Sequence, residues 1–162
     1  MHIQFITTGG TIDKIYFDAF SQFKVGDSQV RAMLTDALVD FSYEVIAIMK
    51  KDSLDITDKD RATIRAQIEA SEYNHVTTTH GTDTMSETAT ALRGIENKKV
   101  VLIGALTPAR FRATDAVFDI GMAVGALQTA ISGVYIAMSV KVFEAGKIRK
   151  NRTANRFEST LN

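Results

Sequence analysis

Cysteine and tryptophan are missing from this chain, proline occurs once, and neither sign of charge predominates. The lack of cysteine excludes disulfides, thiol nucleophiles and thiolate metal sites, though it says little about compartment. Nineteen Lys and Arg balance nineteen Asp and Glu, so no summed field steers the chain to nucleic acid or to an anionic membrane. A small, weakly charged ligand or a protein partner fits better. No apolar run approaches the roughly 18 residues of a membrane span. The start, Met1-His2-Ile3-Gln4-Phe5, reads as a strand and not as a basic region ahead of an apolar signal segment. These absences predict a cytoplasmic protein without membrane or nucleic-acid partners. Of the three histidines, His2 and His75 border strands with no second ligand at metal spacing, so neither metal nor cofactor is expected.

What is present points to one α/β domain over residues 1–162. A chain of 162 residues is long enough to hide about 70% of its unfolded surface in a single core. Short β-rich runs at 3–7, 45–49, 76–79, 100–103 and 134–137 alternate with stretches of helical periodicity at 28–39, 58–71, 86–95 and 112–125. That alternation predicts a parallel sheet covered by helices on both faces. Thr57 with Asp60, and Thr84 with Glu87, have the hydroxyl-plus-acid spacing of a capping box. Met33, Met49, Met122 and Met138 lie in apolar patterns and read as core filler. The stretch 147–162 is polar and basic, and reads as a loop over a site or a remnant of something longer.

In an open α/β sheet, ligands bind beyond the carboxyl ends of the strands, where strand order reverses. Two hydroxyl-rich turns sit at such ends. Thr7-Thr8-Gly9-Gly10-Thr11 follows the first strand, and Thr79-His80-Gly81-Thr82-Asp83-Thr84 closes the third and opens a helix. Without cysteine, a nucleophile must be Ser, Thr or Tyr, and a hydroxyl needs a base or a lysine to activate it. Asp83 and Lys150 are the candidates: an amine accepts the proton while the carboxylate fixes its position. Amides at the helix start would stabilise a developing oxyanion. The plainer readings are a tight turn or phosphate cradle at Gly9-Gly10 and a helix cap at Thr82-Asp83-Thr84. A phosphate cradle is disfavoured, because no Walker-type lysine follows the glycines and the dinucleotide fingerprint is incomplete.

Thr7-Thr8-Gly9-Gly10-Thr11-Ile12 resembles the first signature of the bacterial-type L-asparaginases, and Thr79-His80-Gly81-Thr82-Asp83-Thr84-Met85 resembles the second. Gly104-Ala105 with Pro108 is similar to the family's Gly-Ala-x-x-Pro turn, and the strand near 133–138 with Lys150 to the region that delivers its catalytic lysine. The resemblance spans nearly the whole chain and corresponds to the family's larger N-terminal domain. It implies a flavodoxin-like domain that hydrolyses L-asparagine through an acyl-enzyme, with glutamine as a side substrate. By position it implies Thr8 as nucleophile, Thr82, Asp83 and Lys150 as the second catalytic group, and Tyr16 as the assisting tyrosine. It also implies substrate contacts from Ser53, Gly9, Gly81, Thr82 and Asp83.

The chain also departs from that pattern. Tyr16 stands only eight residues past Thr8, nearer than the family's assisting tyrosine; Leu54 replaces a glutamine beside Ser53; and no arginine precedes Pro108. The family's C-terminal domain is absent, which predicts weaker substrate binding and an apolar surface covered in a homo-oligomer, a dimer or tetramer. His80 is expected to be structural, and of the basic cluster Lys147, Arg149, Lys150, Arg152 and Arg156 only Lys150 gains a role from the resemblance. The competing reading is a non-catalytic amino-acid-binding regulatory domain of the same fold.

Overall fold

The strand 100–103 shows why the sheet needs two covers. Val100 and Leu102 point to one side, Val101 and Ile103 to the other, and all four are fully buried. The computed structural model describes residues 1–17 and 22–160. Along the chain come β1 (His2–Gly9), a hairpin of β2 (Lys14–Phe17) and β3 (Gln22–Val25), α1 (Val30–Asp36) and β4 (Ser42–Lys51). There follow α2 (Asp58–Glu69), β5 (His75–Thr79), α3 (Met85–Ala91), β6 (Lys99–Ile103), α4 (Ala116–Thr129) and β7 (Gly133–Met138). The last elements are β8 (Lys141–Glu144) and a second hairpin of β9 (Ile148–Asn151) and β10 (Arg156–Ser159).

Helices α2 and α3 cover one face, where Ile64, Ile68, Met85, Ala89 and Leu92 meet Ile6, Val76, Val100 and Leu102. Helices α1 and α4 cover the other, where Val30, Leu34, Ile120, Ala123 and Leu127 meet Ile3, Phe5, Val101 and Ile103. Burying one such Leu or Ile contributes roughly 1.5–3 kcal/mol, so these layers fix where the strand ends fall.

The central sheet runs β4-β1-β5-β6-β7-β8. Its first five strands are parallel and β8 is antiparallel to β7. Among the parallel strands the chain order is therefore 2-1-3-4-5, the flavodoxin-like arrangement, and it reverses between β1 and β5. No helix among the described residues is long and apolar enough to cross a membrane.

All five expected strands and four helices are present, with shifted ends. Helix α4 begins four residues later than expected from position 112. The loop ahead of it is pinned instead: the Asp115 carboxylate accepts from the amides of Leu106 (2.7 Å) and Thr107 (2.9 Å). It also runs past Gly125, read as an end but exposed and unopposed within the helix. Thr57 and Asp60 form the expected capping box. Thr84 does not cap α3 with its side chain; its hydroxyl donates to the Ser53 carbonyl at 2.7 Å.

The basic tail is not a simple loop. It forms the β9–β10 hairpin, with Ile148 and Phe157 buried in the α2/α3 layer; Leu161 and Asn162, its expected end, lie outside the described residues. The antiparallel edge strand β8 was also not anticipated.

Candidate active site

Thr8 lies at the carboxyl end of β1, beside β5, with Thr7 in register with Thr79. Its hydroxyl donates to the Thr79 carbonyl at 2.7 Å, and its amide donates to Thr79 Oγ1 at 3.4 Å. Beyond it the backbone takes positive φ at Gly9 (101°) and Gly10 (88°), a region that side chains with a Cβ rarely occupy. Gly10 also meets the second turn directly. A Cβ there would fall 2.5 Å from the Gly81 nitrogen and 2.6 Å from its Cα, while a Cβ on Gly81 would fall 2.7 Å from Ser53 Cβ and Oγ. Two glycines thus let the ends of β1, β4 and β5 pack main chain against main chain.

Ser53 begins a 3-10 turn whose cap, Asp52, accepts from the Leu54 amide and pairs with Lys14 at 2.6 Å. Ser53 Oγ accepts from the Asp83 amide at 3.2 Å. One of the amides expected to serve an oxyanion is therefore already occupied. The bond from Thr84 to the Ser53 carbonyl closes the same junction.

Lys150 arrives from β9 and completes the cluster. Its Nζ is 2.7 Å from Thr82 Oγ1 and 2.8 Å from Asp83 Oδ1. The side chains of Lys150 and Asp83 are 13% and 33% exposed; Thr82 is buried. Arg152 Nε stands 3.9 Å from the same Asp83 oxygen. Opposite Lys150 in the hairpin is Phe157, whose burial in the α2/α3 layer holds the lysine at this distance.

His80 is fully buried at the tip of β5. Burial pushes its pKa down to about 4, so the ring is neutral at pH 7. Its nitrogens contact the Gly81 carbonyl at 2.7 Å and Thr88 Oγ1 at 2.8 Å, local hydrogen bonds of the kind expected.

Contacts join Ser53, Gly81, Thr82, Asp83 and Lys150; Thr8 lies at the end of the neighbouring strand, held by Thr79, and Gly9 packs against Lys51 and Val25. Tyr16 is placed differently: it is half exposed on the first hairpin, with its ring edge-on to Phe23 at 5.7 Å. Leu54 is exposed beside Ser53. Sequence reasoning missed Thr79, whose carbonyl and hydroxyl hold Thr8, and Thr84, which was read as a cap. Both lie inside the second motif, but their partners are distant in sequence.

The sequence matches the family described as Asparaginase, N-terminal, along residues 2–160. It is 34% identical over 108 residues to an L-asparaginase of Thermococcus kodakarensis, covering 64% of this chain and 33% of that protein. It is 31% identical over 104 residues to a glutaminase-asparaginase of Acinetobacter glutaminasificans, covering 59% of this chain and 31% of that protein. In structure it resembles a probable cytoplasmic L-asparaginase of Campylobacter jejuni, with TM-score 0.78, 28% identity, 98% of this chain and 51% of that one. The fold also matches the thermostable enzyme of Thermococcus kodakarensis, with TM-score 0.83, 24% identity and the same coverage. The chain thus spans about half the length of the solved relatives. With the family match along residues 2–160 and both glycine-locked signatures meeting at the switch point of the sheet, the chain belongs to the asparaginase family and carries its N-terminal domain.

Proposed function

We propose that this domain hydrolyses the side-chain amide of L-asparagine to aspartate and ammonia, with glutamine as a slower substrate. The observation that carries the reading is the bridge from Lys150 Nζ to Thr82 Oγ1 and Asp83 Oδ1, next to the strand end that bears Thr8. Thr8 Oγ attacks the amide carbon; the new O–C bond forms as the C–N bond breaks, and ammonia leaves. Water then cleaves the ester, directed by Thr82 and Lys150, and returns the proton to Thr8. Lys150 and Thr82 relay the proton given up by the attacking hydroxyl to the departing nitrogen, while Asp83 orients the amine and grips the substrate's α-amino group.

Ser53 can accept from the Asp83 amide and still donate to the substrate carboxylate, exchanging its long 3.5 Å contact with Asp52. Gly9 and Gly81, packed against Lys51 and Ser53 where a Cβ would stand, would meet the substrate only through their main-chain groups. Glutamine differs from asparagine by one methylene, which such a pocket separates by about 1–3 kcal/mol. Tyr16, turned towards Phe23, serves as the assisting tyrosine only if the first hairpin swings inward on binding. Exposed Val117, Phe118, Val140 and Val142 offer apolar surface that a homo-oligomer would bury. A cytoplasmic setting accords with the likeness to a probable cytoplasmic L-asparaginase of Campylobacter jejuni.

One observation favours a second assignment of the nucleophile. The Thr8 proton rests on a carbonyl, which is no base, whereas Thr82 already has an amine at 2.7 Å. Ammonia release from asparagine by wild type, Thr8→Ala and Thr82→Ala, with mass spectrometry of the quenched protein, separates the two. The Thr8 reading expects no acyl adduct and no turnover in Thr8→Ala. An adduct on Thr82 in that variant transfers the role to Thr82. A wild-type protein that binds aspartate yet releases no ammonia supports the regulatory-domain alternative.

A further inference from the structure

The hydrogen bonds around His80 have a forced direction. The Gly81 carbonyl can only accept, so His80 Nδ1, 2.7 Å away, carries the ring proton. Because the ring is neutral, Nε2 is then an acceptor, and the Thr88 hydroxyl at 2.8 Å must donate to it. The Thr88 oxygen in turn accepts from Arg61 Nε at 3.3 Å. The guanidinium is held by Asp58 at 2.8 Å and Glu87 at 3.0 Å. A single ordered chain therefore runs Arg61 to Thr88 to His80 to the Gly81 carbonyl, starting on α2 and ending between the two glycine-locked turns.

The position of that final acceptor matters. The described peptides are all trans, so a Gly81 carbonyl turned towards the imidazole turns the Thr82 N–H the opposite way. Gly81 is wedged between Gly10 and Ser53, so its peptide has few alternatives while the carbonyl is held. His80 itself is fixed at both ends: its amide donates to the Ile103 carbonyl at 2.8 Å, and its carbonyl lies against Gly104, where a Cβ would fall 2.5 Å away. The ring has little freedom except to hold that one carbonyl.

We propose that His80 is a positioning residue for amide hydrolysis: through its Nδ1–H it fixes the Gly81–Thr82 peptide, and with it the direction of the Thr82 amide. This rests on the hydrolase reading above. It differs from a merely structural histidine because it ties rate, and not just stability, to one of the two ring nitrogens.

Two substitutions divide the nitrogens. In His80→Asn the side-chain NH2 takes the place of Nδ1 and can still donate to Gly81. In His80→Gln it reaches the place of Nε2, keeping the Thr88 contact and losing the Gly81 one. His80 touches no reacting atom, so loss of its one hydrogen bond to the peptide should lower kcat of His80→Gln by roughly 3- to 10-fold, with KM nearly unchanged. His80→Asn should recover most of the rate at a similar loss of melting temperature. Rates that fall together in both variants, in step with their stability, overturn the proposal.

Nitrogen-15 NMR decides the matter without turnover. The imidazole should be protonated at Nδ1, and the Thr82 amide resonance should move in His80→Gln far more than in His80→Asn. A ring protonated at Nε2, or equal movement in both, overturns it. A wild-type protein with the expected NMR pattern but no ammonia release would refute the hydrolase reading alone.

Discussion

Alanine at Gly10 drives a methyl group into the second signature. The backbone there has φ 88° and ψ −171°, a region essentially confined to glycine that costs a residue bearing a Cβ about 1–3 kcal/mol. The methyl would also sit 2.5 Å from the Gly81 nitrogen and 2.6 Å from its Cα, and main-chain atoms cannot swing aside as the end of a flexible side chain would. Overpacking adds about 1–3 kcal/mol, so Gly10→Ala should lose roughly 2–6 kcal/mol in all. Gly94 provides a comparison without overlap, with φ 82° and nothing within 4 Å of a built Cβ, so Gly94→Ala should cost only its own conformational strain, about 1–2 kcal/mol. Urea unfolding of both variants, beside ammonia release, isolates the steric part. Equal midpoints for the two variants, with full activity in Gly10→Ala, would refute the claim that the two signatures are held together main chain to main chain.

Other outcomes follow from the same geometry. Burial pushes the Asp119 carboxyl up to about 7, with the Asp115 charge adding to the effect. Between pH 4 and 7 the unfolded chain has released that proton while the folded one keeps it, so stability falls as pH rises through this window and levels off above it. Asp119→Asn should flatten that slope and raise stability at pH 8, measured as melting temperature against pH; an unchanged slope would show that Asp119 is not the group responsible. Phe157→Ala should cost about 3–5 kcal/mol and, because Phe157 anchors the strand bearing Lys150, should reduce kcat even at temperatures where the protein stays folded. Full kcat in that variant would mean that the hairpin holds Lys150 by other contacts.

The sheet was legible because its signal is local. Paired apolar positions such as 100–103 declare a strand covered on both faces, and Thr57 with Asp60 declares a helix start. Edges and hairpins were not legible. The β7–β8 connection turns on Ser139 and Val140, both at positive φ, where a hairpin normally signals itself with Asn-Gly or Asp-Gly. Thr84 misled for a related reason: its spacing to Glu87 is that of a cap, but the Ser53 carbonyl, thirty-one positions away, took the hydroxyl, while Glu87 turned to Arg61. In the site, the two hydroxyl-rich motifs singled out Thr8, Thr82 and Asp83, and the family resemblance singled out Lys150; their catalytic roles remain proposed. The interlock of Gly10 with Gly81, and the hold of Thr79 on Thr8, depend on strand register that no local window contains.

The arrangement also bears on what Lys150 is for. The Lys150–Asp83 pair is only 13% and 33% exposed, so breaking it costs more than the roughly 0–1 kcal/mol of a surface pair and less than the roughly 3–5 kcal/mol of a fully buried one, about 1–3 kcal/mol. The hairpin that carries the lysine is anchored separately by Ile148 and Phe157 in the α2/α3 layer. The amine is therefore not needed to hold its own strand in place. Its position, 2.7 Å from a buried threonine hydroxyl and 2.8 Å from a carboxylate, is the placement that the proposed proton transfer needs. Under that proposal Lys150→Met should lower kcat by several orders of magnitude, as loss of one member of a concerted catalytic group does, a far larger effect than the modest drop in unfolding midpoint from the lost ion pair. A variant that unfolds readily yet, while folded, turns over at the wild-type rate would reverse the assignment and make the lysine a structural strut.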